Sequence, residues 1–348
     1  MNKIRVMIVE DSLAVREMLK EIIQSDPRLE VVAAVSSAEE GIQLLPTLRP
    51  DVISLDIRLP GMNGLDATLL IMSKYPTPIV VISENVDGED LNISMNALRA
   101  GALTVVEKPV GLKHEKYSQY AENICNQLVA MSSIKVIRQR FNEKKATNLT
   151  ANSSRVRFKV LAVVASTGGP GALVQLFQSL PANLPIPIIL VQHITNSFLQ
   201  SFAEWLGKNC PFSVAIAFSG EVPRPGKIYM APPDHHIEVD ENRIILSRSA
   251  PVGAQRPSGT ILLKSVAQSY RESGIGIILT GMGDDGAEGL LAMRKLGAYT
   301  IAEDESTAVI DGMPAAAARL GAVIERLPIH EIGFRIMTLL RGMEGWNG

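Results

Sequence analysis

The stretch VLAVVASTGGPGAL, from Val160 to Leu173, places a hydroxyl-bearing turn between a strand pattern and a helix pattern. An apolar run ends abruptly at Ser166, glycines follow, and a helix-like pattern of apolar residues begins directly after them. Glycine permits a sharp turn and the close approach of another molecule. A strand, a tight turn and a helix in succession indicate an α/β unit, in which the serine is either a helix cap or a nucleophile.

Length and composition narrow the class of protein. The chain has 348 residues, 46% of them hydrophobic, so we expect two globular domains. A formal net charge of -2 argues against nucleic acid as a partner. The two cysteines, Cys125 and Cys210, lie far apart and lack metal-ligand spacing. Because no signal peptide and no membrane-spanning apolar stretch is recognisable, the sequence predicts a soluble cytoplasmic protein without membrane insertion.

The N-terminal part of the chain predicts a doubly wound parallel sheet. Short apolar runs alternate there with amphipathic helix patterns. The runs are IRVMIVE, LEVVAAV, PDVISLD, TPIVVIS and LTVVEK. Strands of this number with helices between them are typical of a flavodoxin-like, five-stranded domain, although spacing alone leaves the strand order open.

A polar segment separates this domain from a second α/β domain. A helical pattern between Lys116 and Phe141 is followed by NEKKATNLTANSSR, whose polarity and lack of period are typical of a linker. Further apolar runs from about Val156 onward again alternate partly with helices. The segment KIYMAPPDHHIEVDENRIILS resembles hairpins, so we expect a mostly parallel sheet with a more antiparallel middle.

Acidic residues follow the predicted strands of the first domain. Glu10 and Asp11 follow the first strand, and Asp56 ends the third. Three carboxylates at one sheet edge repel one another unless a divalent cation lies among them, and an oxygen-only set suits Mg²⁺. Ser83 and Lys108 end the fourth and fifth strands and would contact a phosphoryl group. The alternative is that these acids are helix caps or lie at solvated loop ends. This would explain any single acid, but not the acids, the hydroxyl and the lysine together.

These segments resemble the response-regulator receiver domain. VEDS, SLDIRLPGMNG, VVIS and VVEKP carry the resemblance, in order and at family-like separations. It implies that Asp56 accepts a phosphoryl group from a histidine kinase, that Lys108 neutralises this group, and that Ser83 hydrogen-bonds to it in the switched state. The Mg²⁺ site that it implies consists of Glu10, Asp11, Asp56 and the Arg58 carbonyl.

Candidate catalytic side chains follow the strands of the second domain. Ser166 ends one strand, His193 ends another, and Asp284 and Asp285 follow a third. A hydroxyl needs a base within about 3 Å to act as a nucleophile at neutral pH, and an imidazole oriented by a carboxylate suits that role. The glycine-rich turns beside these residues would present backbone N–H groups to an oxyanion.

Each of these residues also has a purely structural interpretation. Ser166 would cap the next helix, His193 would be a satisfied core histidine, and either aspartate would cap its own helix. The chain order Ser, His, Asp differs from that of α/β-hydrolases, and Val164 replaces the first glycine of their G-x-S-x-G elbow. STGGPG is also neither a dinucleotide-binding nor a Walker motif. The position of all three residue types at strand ends favours catalysis.

The second domain resembles the CheB methylesterase family. ASTGGP, VQHITNSFLQSFAEWL, GKIYMAPPDHHIEV, QRPS and ILTGMGDDGAEGLLAMRKLGAYTIAEDESTAVIDGMP carry the resemblance. The triad that it implies is Ser166, His193 and Asp285. Thr167 and the Met282 backbone stand where the family places active-site support and the oxyanion hole. The two resemblances divide the chain into a receiver domain, residues 1–122, a helical and polar linker, residues 123–156, and a methylesterase domain, residues 157–345.

Together the resemblances imply a phosphorylation-activated serine hydrolase. Its protein substrate would be a methyl-accepting chemoreceptor, on which it demethylates glutamyl methyl esters and also deamidates glutamines. Its phosphodonor would be a histidine kinase of the CheA type, with Mg²⁺ needed for phosphorylation and no cofactor for the ester chemistry. The pathway would be flagellar chemotaxis or a similar chemosensory system. The alternative from another class is a receiver with a non-catalytic scaffold that retains the shape of an esterase.

The chain departs from the family pattern around the candidate triad. Val164 stands where glycine is usual, Asp284 where asparagine is usual, and Asp311 where an aromatic residue is common. QRPSGT also lacks an aspartate often found after the serine. None of these departures removes a triad residue, so the expected chemistry is unchanged.

Overall fold

The computed structural model describes residues 3–83, 95–98, 100–108, 117–134 and 157–341. The chain forms two compact units, Met1–Phe141 and Asn142–Gly348. The predicted linker, residues 123–156, begins inside a helix of the first unit, Tyr117–Ser132, and from residue 135 it lies outside the described residues.

The first unit is a five-stranded sheet in which each described pair of neighbouring strands is parallel. The strands are β1 (Ile4–Val9), β2 (Leu29–Val35), β3 (Val52–Asp56), β4 (Ile79–Ser83) and β5 (Thr104–Glu107). The helices are Leu13–Ser25, Ala38–Leu48, Gly64–Lys74 and Tyr117–Ser132, and residues 95–98 are also helical. The order β2-β1-β3-β4-β5 is the flavodoxin-like order.

Burial explains why these segments form a parallel sheet. Every residue of β3 and β4 is buried, as expected for strands covered by helices on both faces. The helix Tyr117–Ser132 contributes a buried stripe to this unit, at spacings of three and four residues. The stripe consists of Ile124, Cys125, Leu128 and Met131.

The second unit contains a seven-stranded sheet and a separate two-stranded hairpin. The strands are β6 (Val160–Ala165), β7 (Ile188–Gln192), β8 (Ser213–Ile216), β9 (Lys227–Met230), β10 (His236–Asp240), β11 (Arg243–Ser247), β12 (Gly274–Ile278), β13 (Tyr299–Glu303) and β14 (Glu325–Leu327). The α-helices described here are Gly169–Gln178, Asn196–Asn209, Gly259–Tyr270, Ala287–Lys295, Gly312–Arg319 and Ile329–Leu340. The sheet order is β14-β13-β12-β6-β7-β9-β8.

The predicted antiparallel middle is only partly correct. β10 and β11 form an antiparallel hairpin, as expected. β9, however, pairs in parallel with both β7 and β8, so it belongs to the main sheet. Its residues Ile228, Tyr229 and Met230 are buried, which is typical of an inner parallel strand. The predicted fold class, a flavodoxin-like domain followed by a mostly parallel α/β domain, is confirmed.

The register of the central strands determines where the candidate side chains emerge. Val164 of β6 pairs with Ile278 of β12, and Ala165 pairs with Gln192 of β7. The residues that follow these strands therefore leave the sheet at the same edge.

None of the helices in the described ranges is both long and apolar enough to cross a membrane.

Candidate active site and phosphorylation site

The first candidate site is an acidic cluster at the carboxyl ends of β1 and β3. Glu10, Asp11 and Asp56 each offer one carboxylate oxygen, and these oxygens lie within 4.8 Å of one another. Lys108 Nζ lies 2.8 Å from Glu10 Oε2 and 2.9 Å from Asp56 Oδ2. Asp11 is exposed, whereas the other three side chains are buried. The structure thus brings the predicted acids and the predicted lysine together.

The close approach of these groups shifts their pKa values. Burial raises the pKa of Glu10 to about 7, and the nearby charge of Asp56 adds to the effect. Burial also raises the pKa of Asp56, although Lys108 acts against it. For Lys108, burial lowers the pKa, but attraction to Asp56 and Glu10 outweighs it and the net pKa is raised. The cluster therefore carries repulsion that a bound cation would relieve.

The remaining predicted receiver residues line the same cavity, which has a volume of about 220 Å³. Ser83 is buried at the end of β4, and Arg58 follows β3. Sequence reasoning did not single out Arg16, which donates hydrogen bonds to the main-chain carbonyls of Glu10 at 2.5 Å and Asp11 at 3.1 Å. Arg16 therefore holds the turn that carries two of the acids.

The second candidate site lies at the carboxyl ends of β6, β7 and β12. The His193 N–H donates to the Ala165 carbonyl at 3.0 Å, so Ser166 and His193 leave adjacent strands at the same level. The Ser166 N–H donates to the Thr280 carbonyl, also at 3.0 Å, which connects the serine to the chain leaving β12. A Cβ added at Gly281 would lie 2.8 Å from Ser166 Cβ, so the loop after β12 passes directly beside the serine.

His193 and Asp285 form a close, largely buried pair. His193 Nε2 lies 2.9 Å from Asp285 Oδ2, and the two side chains are 8% and 10% exposed. Because a carboxylate only accepts hydrogen bonds, Nε2 carries the proton and Nδ1 is the unprotonated nitrogen of the neutral ring. Nδ1 is buried and has no hydrogen-bond partner among the residues that the structure describes. Ser166 Oγ is therefore not hydrogen-bonded to Nδ1 in this structure, and proton transfer from the serine requires a closer approach of the two side chains.

The Asp285 carboxylate is held by the start of the helix Gly259–Tyr270. Ser258 Oγ and the Gly259 N–H each donate to it at 2.6 Å, and the Thr260 N–H donates at 3.0 Å. Burial by itself raises the pKa of Asp285, but hydrogen bonds from His193 and from this helix end outweigh it and hold the pKa well below its usual range. An ionised Asp285 can therefore orient His193 and stabilise its imidazolium form.

The helix-capping alternatives do not match the structure. Gly168 is the N-cap of the helix Gly169–Gln178, and Gly286 is the N-cap of the helix Ala287–Lys295. Neither Ser166 nor Asp285 fills these positions. Asp284 is exposed, and its main-chain carbonyl accepts a hydrogen bond from the following helix. The second acid of the pair, rather than the first, therefore meets His193.

Thr167 and Met282 lie on the turns beside Ser166. The Thr167 carbonyl accepts a hydrogen bond from Thr280 Oγ1 at 2.9 Å, which fixes the turn after the serine. Met282 follows Gly281, and its side chain is exposed. No acceptor within the described ranges binds the Met282 N–H, so this group is available to an oxyanion.

Sequence reasoning missed the residues that support the candidate triad. PSGTILL carries an N-cap signal, and Ser258 does cap the helix, but nothing in the pattern connects this cap to Asp285. Gln192 and Thr280 follow or end apolar runs and have no recognisable signature. Their roles depend on contacts between segments distant in sequence.

Comparison with known proteins identifies the family. A family model described as CheB methylesterase matches residues 161–336, and one described as response regulator receiver domain matches residues 6–116. The chain is 54% identical to a protein-glutamate methylesterase/protein-glutamine glutaminase of Paramagnetospirillum magneticum, over 99% of both chains. The chain belongs to the CheB methylesterase family. Its CheB similarity therefore covers both units.

Two further CheB relatives support this assignment. A protein-glutamate methylesterase/protein-glutamine glutaminase of Nitrosospira multiformis is 39% identical over 97% of both chains. The crystal structure of the Thermotoga maritima CheB methylesterase catalytic domain is 34% identical, with a TM-score of 0.51. It covers 53% of this chain and 100% of that chain. The second unit therefore has the fold of a CheB catalytic domain.

Val164 of β6 packs directly against Gly259. Gly259 begins the helix that holds Asp285, and a Cβ added there would overlap the Val164 side chain. Strand β6 and this helix end therefore fit together because the second position lacks a side chain. Val164 is fully buried, so the overlap could not be relieved toward solvent.

We expect Gly259→Ala to lower the esterase rate by about 10²-fold, because it displaces a helix end that donates to Asp285. The measurement is methanol release from methylated receptor membranes. Gly207→Ala is the matched control, since a Cβ there would meet no atom closer than 3.7 Å. Adding Val164→Gly to Gly259→Ala should restore part of the rate, and a double variant no faster than Gly259→Ala would contradict the explanation.

Glu303, at the end of β13, is a buried carboxyl behind the serine turn. Its side chain accepts hydrogen bonds from the Thr280 N–H at 2.8 Å and from Thr307 Oγ1 at 3.0 Å. Burial raises the pKa of Glu303 to about 7, and Asp311 and Asp304 act in the same direction. Asp311 forms an ion pair with Arg326 at 2.7 Å.

We expect Glu303→Gln to stabilise the second unit more at about pH 8 than at about pH 5. Below the unfolded-state pKa near 4.5, Glu303 is protonated in both states and has no effect. As the pH rises to about 7, the unfolded state loses its proton first, so the free energy of unfolding falls by about 3 kcal/mol. Glutamine removes this loss because it does not ionise.

Urea unfolding of the full chain at both pH values measures this difference. Glu305→Gln is the control, since Glu305 is an exposed carboxyl two residues along the same segment. Equal stabilisation by Glu303→Gln at both pH values would show that the buried charge is not the cause.

Proposed function

We propose that the chain is a phosphorylation-activated serine esterase acting on methyl-accepting chemoreceptors. It demethylates glutamyl methyl esters and deamidates glutamines. The observation that carries the proposal is the His193–Asp285 pair at 2.9 Å, with His193 and Ser166 directly following the paired strands β7 and β6. The names of the relatives, protein-glutamate methylesterase/protein-glutamine glutaminase, supply the substrate class.

Acylation begins when His193 Nδ1 takes the proton of Ser166 Oγ. The oxygen attacks the ester carbonyl carbon, and the negative charge that develops on the carbonyl oxygen is stabilised by the Met282 N–H. Asp285 stabilises the imidazolium of His193 through the Nε2 hydrogen bond. The C–O bond to the methoxy group then breaks, and His193 returns the proton so that methanol leaves.

Deacylation repeats this sequence with water as the nucleophile. His193 Nδ1 takes a proton from the water, whose oxygen attacks the acyl carbon, and the C–O bond to Ser166 Oγ breaks as His193 returns this proton to Oγ. The product is a glutamate carboxylate on the receptor. A glutamine side chain differs from the methyl ester mainly in its leaving group, which is ammonia, so the same side chains perform both hydrolyses.

Asp56 is the proposed phosphorylation site of the receiver. A carboxylate oxygen of Asp56 attacks the phosphorus of a phosphohistidine on a CheA-type kinase, and the N–P bond breaks. Lys108 Nζ lies 2.9 Å from Asp56 Oδ2, which supports its role in neutralising the phosphoryl oxygens. The Ser83 hydroxyl lines the same cavity and donates a hydrogen bond to the phosphoryl group in the switched state.

Mg²⁺ fits the donor set of this cavity. Carboxylate oxygens within 4.8 Å of one another and a pKa of Glu10 raised by burial and by Asp56 both favour a bound cation. The residues that would hold it are Glu10, Asp11, Asp56 and the Arg58 carbonyl. When bound, the ion neutralises negative charge on the acids and on the incoming phosphoryl group.

The proposed domain limits are residues 1–122 for the receiver, 123–156 for the linker and 157–345 for the methylesterase. The linker then includes the end of the helix Tyr117–Ser132. Cys125 and Cys210 are free thiols, which supports a reducing compartment and a cytoplasmic location.

Peptide mass spectrometry of receptor membranes tests the proposed function. Incubation with the full chain should convert glutamyl methyl esters and glutamines of the receptor to glutamates. In parallel, a fluorophosphonate should label Ser166. Labelling without any change in the receptor would assign the esterase to another substrate, whereas a lack of labelling would favour the scaffold alternative.

A further inference from the structure

Gln192 is a buried polar residue between the two candidate catalytic segments. It ends β7, directly before His193, and its side chain is 3% exposed. Its Nε2 donates one hydrogen bond to the Ser166 carbonyl and one to the His193 carbonyl, each at 2.9 Å. A single amide group therefore bridges the main chains of the proposed nucleophile and the proposed base.

The Gln192 amide is fixed by the two hydrogen bonds of Nε2 and by close packing, whereas its Oε1 has no hydrogen-bond partner among the described residues. Its Oε1 is buried against Gly169, where an added Cβ would overlap it. The Gly169 N–H also donates to the Ser166 carbonyl, at 2.8 Å. The two acceptor sites of that carbonyl are thus both occupied, which fixes the peptide unit directly after Ser166.

The two segments separate at the end of the sheet. The last ladder bond between them runs from the His193 N–H to the Ala165 carbonyl. After this bond, the segment that follows β6 turns into the helix Gly169–Gln178, and the segment that follows β7 continues toward the helix Asn196–Asn209. Proton transfer between Ser166 and His193 needs a well-maintained distance, and a misplacement of about 1 Å can lower a rate by about 10²-fold.

We propose that Gln192 is a positioning residue for the esterase reaction, acting by holding the main chains of Ser166 and His193 at a constant separation. The proposal rests on the proposed function of these two residues. According to this proposal, Gln192 acts through the hydrogen bonds of its amide N–H groups and not through the volume of its side chain. Variants that keep the volume and change the donors therefore test it.

Gln192→Met keeps the approximate volume and removes both donors. We expect kcat for methanol release from methylated receptor membranes to fall by about 10²-fold, with KM changed by less than about twofold. Gln178→Met is the matched control, because Gln178 Nε2 also donates to a main-chain carbonyl, that of Asn209, at 2.9 Å. A folded Gln192→Met protein with kcat within about threefold of the parent would overturn the proposal.

Gln192→Glu gives a pH signature that a purely structural role would not produce. An ionised carboxylate would face two carbonyl oxygens without a donor, whereas a protonated carboxyl could donate to one of them. The ratio of variant to parent kcat should therefore rise as the pH falls. A ratio independent of pH would overturn the proposal, and this ratio decides the outcome if Gln192→Met does not fold.

The rate at which a fluorophosphonate labels Ser166 separates this proposal from the proposed function. Labelling needs the Ser166–His193 geometry but no receptor. If the parent labels rapidly and releases no methanol, the receptor assignment fails while the positioning remains measurable. We expect Gln192→Met to slow labelling in proportion to its loss of kcat, and labelling at the parent rate would contradict the proposal.

Discussion

Ser166→Ala should lower methanol release from methylated receptor membranes by at least about 10⁴-fold. The substitution removes the oxygen that forms the acyl-enzyme. The turn that follows β6 then retains one hydroxyl, that of Thr167. The fold should be unaffected, because Ser166 is held through its main chain, by the Thr280 carbonyl and the Gly169 N–H. Gas chromatography of the released methanol measures the effect.

Ser213→Ala is the control for the loss of a serine hydroxyl. Ser213 is exposed at the start of β8, an edge strand of the same sheet, so its substitution should leave the rate unchanged. A Ser166→Ala protein with a rate within about tenfold of the parent would contradict the nucleophile assignment. It would indicate that the remaining hydrolysis uses another residue.

Asp285→Asn should lower kcat by about 10⁴-fold. Each group that contacts the Asp285 carboxylate is a donor, namely His193 Nε2, Ser258 Oγ and the main-chain N–H groups of the helix start. An asparagine places an NH₂ group against one of these donors, so the neutral His193 ring loses its orientation or adopts the wrong tautomer. The kcat and KM of methanol release measure the effect.

Asp284→Asn is the matched control for that prediction. Asp284 is the adjacent acid and is exposed, and we expect its substitution to change kcat by less than about threefold. A larger loss for Asp284→Asn than for Asp285→Asn would show that the wrong acid has been assigned. Because the pKa of Asp285 is held below its usual range, the carboxylate remains ionised on the acid side of the pH profile.

The sequence patterns predicted those parts of the structure that depend on local order. The apolar runs of the first unit match β1 to β5, since buried parallel strands are nearly continuous apolar segments. The juxtaposition of Ser166 and His193 followed from their position directly after such runs. Asp56, Ser83 and Lys108 meet for the same reason, because parallel strands end at one sheet edge.

Other features depended on tertiary contacts that no local pattern encodes. β9 has the same kind of sequence as a hairpin strand, and only its insertion between β7 and β8 makes it parallel. The choice of Asp285 over Asp284 depends on a helix start at Gly259, on a different part of the chain. The close packing of Val164 against Gly259 likewise depends on the positions of both backbones in the folded unit.

The most direct test of the central claim is methanol release from methylated receptor membranes, with and without a small phosphodonor and Mg²⁺. We expect the phosphodonor to raise the rate of the parent protein, to have no effect on Asp56→Asn, and to leave Ser166→Ala inactive in both conditions. That result would link the acidic cluster of the receiver to the serine of the esterase. Equal rates of the parent with and without phosphodonor, or full activation of Asp56→Asn, would contradict a phosphorylation-activated esterase.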